Sequence, residues 1–178
     1  MKYLKKYRIP FSGLTTGKHS FDFDVDDQFF ACYEHSLVKQ GKLLATVYLQ
    51  KQENMLITNF DIQGEILLTC DTCLSDFHSP VEIKERALVK FTDEDWTNET
   101  DEVIVLSKKD YELDIAPLLY EYINLAVPAF AKCSLQGGLE CDPEMLSMIQ
   151  QEQEDDSSTE EKEQIDPRWD ALKKIKNN

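Results

Sequence analysis

Apolar and polar residues alternate through much of the first two-thirds of the chain. In residues 19–25, Phe21, Phe23 and Val25 fall on one side and Asp22 and Asp24 on the other. A period of two predicts a strand with one wet face. Leu43, Ala45, Val47 and Leu49 alternate with Leu44, Thr46 and Tyr48, the polar stretch 50–54 turns the chain, and 55–60 runs back. Those two runs predict a β-hairpin. Residues 65–69 predict a further strand leading straight into Cys70. Val81, Ile83, Ala87, Val89 and Phe91 predict another, with Glu82, Lys84, Arg86 and Lys90 opposite and Glu85 interrupting the apolar face. Residues 103–106 form a short apolar run, and 3–11 can extend as a strand that Pro10 assigns to an edge.

Two places depart from period two. Asp26 or Asp27 is placed to cap a short helix through Phe29, Phe30 and Tyr33. Later, Ile115, Leu118, Leu119, Tyr122 and Ile123 follow helical spacing, with Asp114 as N-cap, Pro117 in the first turn and Pro128 closing the element. The fold class is therefore α+β: a mainly antiparallel sheet or partial β-barrel with one packed amphipathic helix. Residues 1–148 are expected to form the globular domain. Residues 149–164 are almost wholly polar and cannot bury enough apolar surface to offset their ordering entropy, which predicts a disordered acidic tether. Residues 165–178 predict a short C-terminal helix, with Asp166 as cap, Pro167 at its first position and lysines in its last turn.

Charge sharpens this division. The net charge is −15, and residues 140–163 hold ten acidic side chains against the single Lys162. Residues 93–102 add six acids with no base around Trp96, the pattern of a solvated loop. Such a surface disfavours unaided binding to bare nucleic acid. No stretch approaches the roughly 18 consecutive apolar residues of a membrane span. The basic start of the chain leads to no apolar segment, so no export signal and a cytoplasmic location are expected.

Five cysteines are an odd number for a secreted disulfide framework. Cys70-Asp71-Thr72-Cys73 follows a strand and precedes a polar turn, and two thiolates so spaced can grip one ion from a tight knuckle. Cys133 and Cys141 lie downstream with Gly137-Gly138 between them, which lets that loop fold back. Together they suggest a structural zinc site of Cys70, Cys73, Cys133 and Cys141, closed to substrate because all four positions are taken. Other readings of the same residues stand beside it. Cys70 and Cys73 could form a thiol redox pair, the four thiols could be unrelated, or His78 could replace one ligand. Cys32 reads as a small core residue.

No phosphate-binding glycine loop, nucleophile elbow or metalloprotease histidine pair is found. His19, His35 and His78 occur in polar or loop contexts, and Glu112, Asp114 and Glu121 suit capping and solvation better than acid–base work. No enzymatic activity and no small-molecule substrate are expected. On the C-terminal helix, Trp169, Leu172 and Ile175 form a narrow apolar stripe flanked by Arg168, Lys173 and Lys174. A helix of about nine residues is marginal alone in water, so it needs a surface, in its own domain or in a partner.

Several motifs, in this order, resemble the YceD family of large ribosomal RNA subunit accumulation proteins. They are Cys70-x-x-Cys73-Leu74, Leu113-Asp114 leading through Glu121, Leu125 and Pro128, then Cys133 and Cys141, and the ending Asp166-Pro167-Arg168-Trp169-x-x-Leu172. Family members often carry Arg before the second cysteine, where this chain has Thr72. The resemblance implies a non-catalytic role in synthesis, processing or stability of large-subunit ribosomal RNA, with pre-ribosomal RNA or large-subunit ribosomal proteins as partners and no membrane. A cytosolic thiol oxidoreductase using Cys70 and Cys73, and a zinc-ribbon module acting outside the ribosome, are the competing functions.

Overall fold

The computed structural model describes residues 2–92, 103–138 and 140–158. The chain divides into two units, Met1–Cys141 and Asp142–Asn178. In the first, β1 (Arg8–Ile9) precedes four strands that follow one another antiparallel: β2 (Gly17–Val25), β3 (Gly41–Lys51), β4 (Met55–Thr69) and β5 (Asp76–Thr92). Strand β6 (Val103–Ser107) lies parallel to the end of β5, giving an open sheet of order β2-β3-β4-β5-β6 rather than a closed barrel. β7 (Leu113–Asp114) pairs with β1 as a separate ribbon.

The alternating residues sort as their period requires. Leu43, Ala45, Val47 and Leu49 of β3, Leu56, Phe60, Ile62 and Ile66 of β4, and Phe77, Ile83, Ala87 and Val89 of β5 are buried. Thr58 joins them, its hydroxyl donating to the Ala87 carbonyl at 3.0 Å. The two runs expected at 55–60 and 65–69 are one continuous strand. Gly64, between those runs, has φ +150°, and a Cβ there would lie 2.2 Å from the Lys42 carbonyl oxygen. The glycine is what lets β4 stay in register against β3. Pro80 is tolerated in β5 because β6 pairs from Leu88 onward, so among the described residues this stretch has a strand on one side only.

Helix α1 (Asp27–Phe30) is capped by Asp26, whose carboxylate accepts from the Phe29 amide at 3.2 Å. Helix α2 (Ala116–Leu125) begins one residue later than Asp114 as cap would place it, although the Asp114 carboxylate accepts from the Ala116 amide at 3.1 Å. It buries Ala116, Leu119 and Ile123 and meets the sheet through Tyr122, whose ring centroid lies 5.3 Å from that of Phe60. Arg8 pairs with both Glu112 and Asp114, which assigns those carboxylates a structural role.

The amino-terminal segment differs from the expected edge strand. Tyr3–Tyr7 is a 3-10 helix and only Arg8–Ile9 is extended. Tyr3 and Tyr7, four apart, are both anchored: Tyr3 donates to Asp26, and the fully buried Tyr7 packs 4.9 Å from Phe29 while donating to the Asp24 carbonyl. Anchors at that spacing favour a coil of the chain over alternation.

In the second unit, α4 (Pro143–Ser158) covers the first ten residues of the expected tether, 149–158. Its start has Asp142 accepting from the Glu144 amide at 2.9 Å, with Pro143 as its first residue. The acidic stretch 93–102, the rest of the tether and the expected C-terminal helix lie outside the described residues. No helix among the described residues is long and apolar enough to cross a membrane.

Candidate metal centre

Strands β4 and β5 are paired to their very ends, Thr69 opposite Asp76, and the six residues between them carry the first cysteine pair. The tip is closed by the Cys70 amide donating to the Ser75 carbonyl and the Leu74 amide donating to the Cys70 carbonyl, each at 2.9 Å. Leu74 turns the chain with φ +59°, a left-handed conformation, while its side chain is 67% exposed. This knuckle is a hairpin tip and does not open a helix, so the setting of a thioredoxin-type redox pair is missing.

The second pair comes from the chain that leaves α2. Helix α3 (Cys133–Gln136) lies against β5, and Gly137 makes that approach: a Cβ there would sit 2.6 Å from the Phe77 ring. Asp71 joins the two segments. Its amide donates to the Ala131 carbonyl and its carboxylate accepts from the Ala131 amide, both at 2.7 Å. Neither Asp71 nor Ala131 stands out in the sequence, because their importance lies in a contact sixty positions apart.

These supports bring all four sulfurs together. Sγ of Cys73 is 3.7 Å from that of Cys133, Cys133 is 3.3 Å from Cys141, and Cys70 is 4.0 Å from Cys141. Every pair lies within 4.8 Å. Four sulfurs arranged tetrahedrally at about 2.3 Å from one ion would be separated by about 3.8 Å. The cluster is therefore of the size and composition to hold one metal ion. All five cysteines are free thiols.

Electrostatics distinguish the members. Burial pushes the Cys70 thiol up, but the amides of Cys133, Cys73 and Thr72 outweigh it and leave Cys70 below the ordinary thiol range. The Cys133 thiol is raised by burial and by its sulfur neighbours. One sulfur thus sits in a nest of N–H donors contributed by both segments, while the crowd of sulfurs around Cys133 lacks a positive charge. A divalent cation held among them would supply that charge.

Two smaller expectations are corrected. His78 is exposed beside Glu65, with 3.9 Å between Nδ1 and the carboxylate, and is not in the sulfur cluster. Its alternation on β5 turns it to the wet face. Cys32 is half-buried rather than a core residue, its thiol donating to the Gln28 carbonyl at 3.2 Å one helical turn back. Arg168, Trp169, Leu172, Lys173, Lys174 and Ile175, the expected partner-binding residues, lie outside the described residues.

Comparison with known proteins adds a family. The model of the large ribosomal RNA subunit accumulation protein YceD matches residues 58–176. The chain is also 33% identical over 117 residues to the uncharacterized protein YlbN of Bacillus subtilis (strain 168), a match covering 66% of this chain and 64% of that relative. No solved structure matches. The matched family span contains both cysteine pairs, the helix α2 and the Asp-Pro-Arg-Trp ending, and the chain belongs to the YceD family of large ribosomal RNA subunit accumulation proteins.

Proposed function

We propose that this protein is a non-catalytic ribosome-assembly factor of the cytoplasm, supporting the synthesis, processing or accumulation of large-subunit ribosomal RNA. The observation that carries this reading is the family match over residues 58–176. Cys70, Cys73, Cys133 and Cys141 hold a zinc ion, since four thiolates favour soft or borderline ions over calcium or magnesium. When bound, the ion supplies positive charge and four fixed bonds. The chain's own residues do the rest: the hairpin tip and the segment after α2 are locked to each other, and Asp71 sets their spacing. With four protein ligands no position is left for substrate, so the centre is structural.

The partner is reached through the C-terminal segment. Arg168, Lys173 and Lys174 suit phosphate or acidic groups, and Trp169, Leu172 and Ile175 suit an apolar groove. The acidic run before it keeps the chain from adhering to RNA indiscriminately and can shield basic ribosomal proteins. Depletion in a native host tests the function. The ratio of large- to small-subunit ribosomal RNA is expected to fall and to recover with the full chain; an unchanged ratio overturns the reading.

A further inference from the structure

We infer that the four-cysteine centre is also a peroxide-sensitive clasp, in which Cys133 and Cys141 are the pair that bridges. The inference rests on the reading of these cysteines as metal ligands and names a regulation of that same site.

Three observations single out this pair. Its sulfurs are 3.3 Å apart, closer than Cys73 to Cys133 or Cys70 to Cys141. Cys70, Cys73 and Cys133 are buried, whereas Cys141 is half-buried, so a small oxidant in solvent meets Cys141 first. The backbone supports also differ. Cys70 and Cys73 sit on a hairpin tip held by the Thr69–Asp76 pairing and by Asp71, while Cys141 itself belongs to no helix or strand. A disulfide needs its sulfurs at about 2.05 Å, and the strand-free end of the loop is the part able to make that short move.

The chemistry balances with a hydroperoxide as oxidant. The Cys141 thiolate attacks the peroxide, the O–O bond breaks, and Cys141 becomes a sulfenic acid as the departing alkoxide or hydroxide takes a proton from solvent and leaves as alcohol or water. The Cys133 thiolate then attacks the Cys141 sulfur. The S–S bond forms, the S–O bond breaks, and the departing hydroxide takes a proton to become water. Two electrons pass from the two sulfurs to the peroxide. Only Cys70 and Cys73 then remain as ligands, too few to retain zinc, and a dithiol reverses the bridge. This differs from a redox pair at Cys70 and Cys73, which stay reduced throughout.

The test treats the zinc-loaded full chain with hydrogen peroxide beside a chromogenic chelator too weak to strip the untreated protein. Expected are release of about one equivalent of zinc per disulfide formed, a disulfide mapped to Cys133 and Cys141, and restored binding after dithiothreitol and zinc. Cys141→His, which keeps a ligand at that position, is expected to bind zinc and lose the rapid release. A bridge mapped to Cys70 and Cys73, or zinc retained with all thiols intact, overturns the inference while leaving the metal reading standing. A purified chain carrying no metal overturns the metal reading beneath it.

Discussion

Asp71 and Ala131 hold each other in both directions, the amide of each residue donating to an oxygen of the other. One sits inside the first cysteine pair and the other two positions before Cys133, so this contact sets the spacing of the two halves of the centre. Asp71→Ala leaves the Ala131 amide without its carboxylate partner. A cost of about 1.5–3 kcal/mol is expected, the range for hydrogen bonds to charged groups, together with weaker zinc retention in a chelator titration. Asp71→Asn, which keeps an acceptor, is expected to lose less. Equal losses for both variants would show that the bond is not what matters.

Leu74 has φ +59° with an exposed side chain, so its packing contributes little while its backbone conformation is costly. Left-handed geometry costs an ordinary residue roughly 1–2 kcal/mol, offset in a glycine variant by the greater freedom of its unfolded chain. Leu74→Gly is expected to be neutral or slightly stabilising in denaturant, and Leu74→Ile destabilising, because a β-branched side chain tolerates this region worst. Destabilisation by Leu74→Gly comparable to that by Leu74→Ile would contradict the backbone explanation.

Gly137 is required by space. A methyl group there meets Phe77, which is 2% exposed and has nowhere to retreat, at 2.6 Å and the Cys133 carbonyl at 3.1 Å. Gly137→Ala is expected to cost about 1–3 kcal/mol by overpacking and to weaken metal binding, since α3 must lift from β5. Gly13→Ala, where nothing lies within 4 Å, serves as the control and is expected to leave metal binding unchanged.

Asp26 links the amino terminus to α1. Burial would raise its carboxyl, but the Tyr3 hydroxyl, the Phe29 and Gln28 amides and the charge of Lys6 hold it below the ordinary value of 3.8. A lowered carboxylate stabilises the fold at pH values above the unfolded value and loses that contribution as pH falls through the folded one. The stability difference between the native chain and Asp26→Asn is therefore expected to be constant near neutrality and to shrink below about pH 4. Urea midpoints across that range measure it, and a difference independent of pH would contradict it. The carboxylate is half-exposed, so the effect is expected to stay under about 1 kcal/mol.

Much of the fold could be read from local pattern because β3 and the ends of β4 bury every second residue. The pattern failed where tertiary space overrode it. Gly64 and Pro80 look like interruptions, yet each sits where the sheet has a place for it, so strands of unusual length went unrecognised. The parallel placement of β6 is a tertiary pairing with the end of β5 that no periodicity reveals. The anchoring of Tyr3 and Tyr7 relies on Asp26 and Phe29, about twenty residues away. At the second unit, Asp142-Pro143 carries the same helix-start chemistry recognised in Asp166-Pro167, but the acidic composition beyond it suggested disorder. The four cysteines were legible because sulfur has few other uses in such a pattern. Their clamp was not, since Asp71 acquires its role only when Ala131 arrives.

Metal and thiol content, measured on the same sample of the chain purified without chelator, test the centre most directly. One zinc per chain is expected, with Cys32 the single thiol that reacts promptly and all five cysteines reacting once zinc is stripped. Five reactive thiols in a folded, metal-free chain would contradict it.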